Sequence, residues 1–265
     1  MRVANRDAFT LMELLVVTAI IGILAALLLT AISGTKAKAR TAQCANNLRQ
    51  LGIALQGFVE DHSAYPLVNG TNHPYEELPD PQQWFDDLRF GYLSSGGSAS
   101  GFAGVWRCSS FPEKGRFSYG YNAYGAYSPV AALQPTGTES LGLGGHRTFR
   151  NTGNSISLAE PLVRQSEVAN PADMMAIGDS FSGGNYGISD GTHVLGRTIF
   201  SAGARVFFDE ATTKRCYARH QGRANVVFCD GHVERPKLQF LFVATGDDAL
   251  SRWNRDHLPH RERPQ

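Results

Sequence analysis

A polar opening, residues 1–8, gives way to a stretch, 14–32, that carries no charged side chain. That run is close to the ~20 residues a helix needs to cross a ~30 Å hydrocarbon core. Beyond it the apolar positions narrow to one stripe. Cys44, Leu48, Leu51, Leu55 and Phe58 recur in steps of four and three, while Asn47, Arg49, Gln50, Gln56 and Glu60 mostly take the other side. This is the period of an amphipathic helix. Residues 33–42 join the two parts: they are polar, rich in helix formers and free of proline, with Gly34 as the weak point. The pattern therefore predicts one helix over about 9–61, apolar all round in its first half and one-sided in its second. Asp61-His62-Ser63-Ala64-Tyr65-Pro66 ends it, because proline disfavours helical conformation in the residue before it.

After Pro66 the pattern shortens. Pro, Gly, Ser and Asn crowd 67–81 and 94–104, which read as loop insertions. Between them 82–92 predicts a short helix with Trp84, Phe85, Leu88 and Tyr92 on one face. Residues 105–108 predict a strand. Residues 117–124 alternate aromatic with small or polar side chains, the period of a half-buried strand. Residues 137–153 are glycine-rich and predict a surface loop. A strand is expected over 174–180, with Pro171 blocking an earlier start. Two more, 215–218 and 224–229, flank a Gln221-Gly222 turn, and Asp230-Gly231 turns the chain again into 232–234. That region predicts an antiparallel meander. The apolar run 237–243 closes the domain, and 252–265 is a polar tail whose one large anchor is Trp253; within it 252–257 reads as a solvated strap pinned by that Trp, with an interaction tail as the alternative. The fold class expected is α+β, a long N-terminal helix on a C-terminal antiparallel sheet with loop insertions. Its parts are a leader 1–8, a membrane half-helix 9–34, an amphipathic half-helix 35–62, a β-rich domain 63–245 and a tail 246–265.

Composition changes this picture little. A formal net charge of +1 over 265 residues argues against nucleic acid as a partner, since phosphate binding needs clustered cations. The 28 glycines suit a loop-rich, strand-containing domain. Cys44, Cys108, Cys216 and Cys229 show no paired spacing of the zinc type. In an oxidising compartment Cys44–Cys108 and Cys216–Cys229 are both conceivable bridges, and buried free thiols are the alternative. The sequence does not choose among them. Gly142-Leu143-Gly144-Gly145 lacks the strand and helix that a dinucleotide loop requires.

One constellation invites chemistry. His220, Asp230 and His232 fall on neighbouring predicted strands, with Asp179 on another. Mixed imidazole and carboxylate ligands suit zinc or another divalent ion. A plainer reading makes Asp230-Gly231 a turn, with Asp230 accepting backbone N–H groups and His220 bonded to it. No nucleophile stands at recognisable spacing, so neither catalysis nor an organic cofactor is expected; a divalent metal is the one cofactor in view. Asp247, Asp248 and Asp256 do not form a calcium loop.

The N-terminus carries a more specific signal. Ala8-Phe9-Thr10-Leu11-Met12-Glu13, running straight into the apolar stretch, resembles the processing site of type IV prepilins and type II secretion pseudopilins. The resemblance implies cleavage between Ala8 and Phe9 by a prepilin peptidase, N-methylation of Phe9, and retention in the inner membrane with the N-terminus cytoplasmic. The globular domain would then be periplasmic or part of an extracellular filament. It also implies that Glu13 pairs with the terminal amine of a neighbouring subunit in a polymer. An unpaired carboxylate in an apolar core is strongly penalised, which favours such pairing. The family usually has Gly where Ala8 stands. A secretory signal peptide is the competing reading, but its apolar core is typically ~7–15 residues. Here the run is longer and is followed by Lys36, Lys38 and Arg40. Cations flank both ends, so charge alone does not orient the helix; the orientation comes from the resemblance.

His220 and Asp230-Gly231 form a His-x9-Asp-Gly spacing. With Cys108, Tyr119-Gly120-Tyr121-Asn122 and 171–180, it resembles a group of prepilin-like proteins with a C-terminal globular domain. The reading is a pilin-like structural subunit that polymerises with other pilin or pseudopilin subunits, and not an enzyme. A membrane-anchored surface binding protein that uses the same pathway for placement is the competing class.

Overall fold

The computed structural model describes residues 10–67, 84–93, 104–110, 118–126, 139–146, 161–179, 219–242 and 244–262. Two compact units, Met1–Arg40 and Thr41–Gln265, divide the chain. Helix α1 is continuous over Leu11–His62, close to the 9–61 that the periodicity predicts. In the first unit every described side chain from 11 to 29 is exposed. The length and composition of that part suit a membrane span.

In the second unit the helix is one-sided. Thr41, Cys44, Leu48, Leu51, Leu55 and Phe58 are buried, whereas Arg49, Ile53, Gln56 and Glu60 are exposed. The stripe packs into a core with Tyr119, Tyr121, Ile177 and Val227. Ser63, at φ 54°, takes the chain out of the helix. The Tyr65 N–H then donates to the Val163 carbonyl at 2.8 Å.

Among the described residues the strands form one antiparallel sheet in sequential order: β1 Tyr119–Tyr121, β2 Met175–Asp179, β3 Val226–Phe228 and β4 Val233–Glu234. Successive side chains in a strand point to opposite faces. In β3, Val227 joins the core under α1, while Val226 and Phe228 join a second cluster with Leu238, Leu241, Leu250 and Trp253. That second layer is supplied by two short helices, α3 Leu238–Phe242 and α4 Asp247–Ser251. With both faces covered, the strands read as apolar runs rather than clean alternations. A register shift between Met175 and Ile177 bulges β2.

Helix α2, Trp84–Gly91, forms as its pattern predicts, with Trp84, Phe85 and Leu88 buried. Four expectations need correction. Residues 105–108 are not a strand: Gly104, at φ 65°, starts a one-turn 3-10 helix, Gly104–Trp106, and the Arg107 N–H returns to the Gly104 carbonyl at 3.3 Å. Tyr119–Tyr121 is buried throughout rather than half-buried, with both tyrosines in the core under α1. Of the predicted surface loop, 140–145 is buried. Gly142 approaches β1's end so closely that a Cβ there would lie 2.3 Å from the Tyr124 nitrogen. Finally, 252–257 is anchored at Trp253 as expected, but it is no solvated strap, because Asn254 and Arg255 are buried as well. Trp253 is fully buried, and the Arg255 guanidinium donates to the Ser140 and Gly142 carbonyls at 2.6 and 3.2 Å. The predicted strand 215–218, with Cys216, lies outside the described residues, as do the insertions 68–83 and 94–103.

Candidate functional site

The processing site itself, Ala8 and Phe9, lies outside the described residues. Thr10 and Glu13, immediately beyond it, lie within them. Thr10 precedes the first turn of α1, and its N–H and hydroxyl both donate to Glu13 Oε2, at 2.9 and 2.8 Å. The Glu13 N–H donates back to Thr10 Oγ1 at 3.3 Å. This reciprocal arrangement is a capping box, which satisfies backbone donors that a helix start leaves without partners. Glu13 thus holds its own helix terminus. The pattern Thr10-x-x-Glu13 in the sequence carried this signal.

The C-terminal constellation separates into two places. Asp230 and His232 belong to the β3–β4 turn. Asp230 Oδ1 accepts the His232 N–H at 3.1 Å and lies 2.5 Å from His232 Nδ1. Gly231 occupies φ 88° and packs against the Gln56 side chain. Both the aspartate and the histidine are partly exposed. His220 is not bonded to Asp230, contrary to the plainer reading of the sequence; its buried ring meets Thr41, Cys108 and Asp179 instead.

His220 sits on the 3-10 turn Arg219–Gln221 at φ 52°, ψ 26°. Gln221 and Gly222 continue at positive φ. The tight left-handed path buries both Arg219 and His220. On one side of the ring, Nδ1 is 3.0 Å from the Thr41 hydroxyl of α1. On the other, Nε2 is 3.2 Å from Cys108 Sγ and 3.5 Å from Asp179 Oδ2. Burial pushes the imidazole below its ordinary value; Asp179 opposes that shift and Arg219 adds to it. The ring is therefore neutral at pH 7.

Asp179 ends β2 and is fully buried. An Arg219 guanidinium N–H donates to its Oδ1 at 2.5 Å. The Asn225 backbone N–H and side-chain amide donate to its Oδ2 at 2.7 and 2.9 Å. A buried carboxylate held by a cation and two amides is compensated. The four residues weighed as metal ligands thus divide into two separate pairs, His220 with Asp179 and Asp230 with His232.

Cys108 lies just after the Gly104–Trp106 turn and is joined to Cys44 of α1 by a disulfide with Cα atoms 4.9 Å apart, within the usual range for a bridge. Cys229, among the described residues, is a buried free thiol, and burial pushes it up to about 12. Thr41, Cys44 and Cys108 were not legible as His220's neighbours, because they come from two segments more than a hundred residues earlier in the chain.

Two family models match the chain. The prokaryotic N-terminal methylation motif covers residues 4–29, and a family described as a protein of unknown function (DUF1559) covers 35–112. Neither reaches His220 or Asp230-Gly231. No curated protein and no solved structure matches the chain. The methylation motif implies processing by a prepilin peptidase and assembly with other pilin subunits. Together with the apolar helix it is consistent with a single-pass anchor in the inner membrane. A methylation motif that opens on an apolar helix, followed by an α+β domain of pilin-like design, supports a prepilin-like protein.

Proposed function

We propose that the chain is a pilin or pseudopilin: a structural subunit of a type IV pilus-like or type II secretion filament, cut between Ala8 and Phe9. The observation that carries this reading is the exposed apolar helix segment, 11–29, which lies within the span that the methylation motif matches. A surface of that kind is not left bare in water. Lipid covers it before assembly, and the helices of neighbouring subunits cover it in a filament. The N-terminus faces the cytoplasm in this reading and the sheet domain lies outside the inner membrane. Pilin-like families are structural rather than enzymatic, and the chemistry asked of this subunit is packing.

The test has two readouts. Mass spectrometry of the N-terminal peptide should find N-methyl-Phe9 in the mature chain. Shearing of cells should release the protein as polymer. An intact Met1 terminus would sink the processing step. A correctly processed protein that fractionates with membrane as monomer would favour the anchored surface binding protein instead.

A further inference from the structure

We propose that Cys44, Cys108 and His220 form, in the reduced protein, a site for a divalent cation of the zinc class. Disulfide and metal are then alternative occupants of the same two sulfurs.

The ligand atoms already converge. Cys44 Sγ, Cys108 Sγ and a ring nitrogen of His220 lie within 4.8 Å of one another, and all three residues are buried. Thiolate and imidazole are the ligands that zinc prefers. The imidazole is oriented for the task. Thr41 holds Nδ1 at 3.0 Å, which leaves Nε2 facing Cys108 Sγ. An outer partner on one ring nitrogen commonly fixes the other for a metal.

Charge favours the same conclusion. Asp179 and Arg219 cancel beside the site. With a disulfide and a neutral imidazole the cluster carries no net charge. A divalent cation with two thiolates and the same imidazole also carries none. Either occupant can therefore be buried without stranding an uncompensated charge. Asp179 Oδ2 already accepts from Asn225, so the fourth position on the metal falls to water.

The chemistry balances in two steps. A phosphine reductant and water convert the disulfide into two thiols and a phosphine oxide. The cation then displaces the two thiol protons, which leave to solvent as the two metal–sulfur bonds form.

The experiment uses the full chain in detergent micelles, reduced with a phosphine under inert gas, with cobalt(II) as the probe. Reduced protein should bind one cobalt per chain and show a thiolate-to-cobalt charge-transfer band with the intense visible bands of a tetrahedral site. Oxidised protein should bind none. Cys44→Ser with Cys108→Ser should abolish the bands, whereas Cys216→Ser with Cys229→Ser should leave them intact. Thr41→Val should weaken binding about 10- to 100-fold, the usual cost of losing an outer partner. His220→Ala should remove the tetrahedral signature while still forming the disulfide on oxidation, which shows that this variant folds. The proposal is overturned if reduced wild type shows no charge-transfer band, if the band survives loss of Cys44 and Cys108, or if it disappears with Cys216 and Cys229. Unchanged affinity in Thr41→Val or an unchanged spectrum in His220→Ala would overturn the imidazole's part.

Discussion

Gly52 of α1 lies so close to Val227 of β3 that a Cβ on the glycine would sit 2.5 Å from Val227 Cγ2. Helix and sheet meet at this point, and a bare Cα lets them approach. Glycine costs a helix roughly 1 kcal/mol relative to alanine, so a gain in packing offsets that loss here.

The first prediction rests on that contact. Gly52→Leu should lower the stability of the domain by roughly 1–3 kcal/mol, the range for forcing extra methylenes into a filled core. Gly34→Ala meets nothing within 4 Å and should be neutral or slightly stabilising. Thermal melts of the two variants side by side check the contrast. A wild-type midpoint for Gly52→Leu would show that the interface has slack.

The second concerns the buried ion pair. Asp179→Asn keeps the shape and removes the charge, leaving the Arg219 guanidinium without its counter-ion in the core. Breaking such a pair from one side costs about 3–5 kcal/mol. Replacing Arg219 by Met in the same chain should recover much of the loss, because no lone charge then remains. Denaturant midpoints of the single and double variants decide. A double variant as unstable as Asp179→Asn alone would place the cost in the lost Asn225 contacts instead.

How far the sequence shows this structure depends on the range of each contact. The spacing of Cys44, Leu48, Leu51, Leu55 and Phe58 predicts the buried face of α1, because periodicity is local. The Asp230-Gly231 turn is equally local. His220 is not: its neighbours Thr41, Cys108 and Asp179 arrive from α1, the segment after a 3-10 turn and β2, and no spacing along the chain connects them. The sequence allowed two cysteine pairings and the fold holds Cys44–Cys108. Glycines misled at 140–145, where they read as solvent loop. There a missing side chain serves close approach to Ala123 and Tyr124, which only the folded chain reveals.

The third prediction is a pH dependence. Glu139 is partly buried, which opposes ionisation, but His146 and Arg255 outweigh that and hold its carboxyl below the ordinary 4.5. His146 Nδ1 lies 2.6 Å from Glu139 Oε1, and its Nε2 lies 2.8 Å from Glu167. Arg255 also donates to Glu139. A carboxylate depressed in the fold contributes stability above its unfolded value and loses it as pH falls through its folded value. Glu139→Gln should therefore flatten the acid limb of the stability curve below about pH 4.5 and lower stability slightly at neutral pH. Melts across pH 3 to 7 (a range set by the ordinary carboxylate pKa of roughly 4) test the sign. An acid limb as steep in the variant as in wild type would remove Glu139 from the account.

The fourth prediction separates two roles of Glu13. In the single chain its carboxylate caps α1 through Thr10. In the proposed filament it must also meet the methylated Phe9 amine of a neighbour, and the apolar helices packed around it make that charge pairing matter far more than it does at an exposed helix end. Glu13→Ala removes both roles, whereas Glu13→Gln keeps a side-chain acceptor for the Thr10 N–H and removes only the charge. Both variants should still be cut and methylated and should still fractionate with membrane, because the apolar helix is unchanged. Neither should yield sheared polymer. If Glu13→Gln assembles normally while Glu13→Ala does not, capping rather than charge pairing is what the filament requires. If both assemble, the acid is dispensable and the pairing proposal fails.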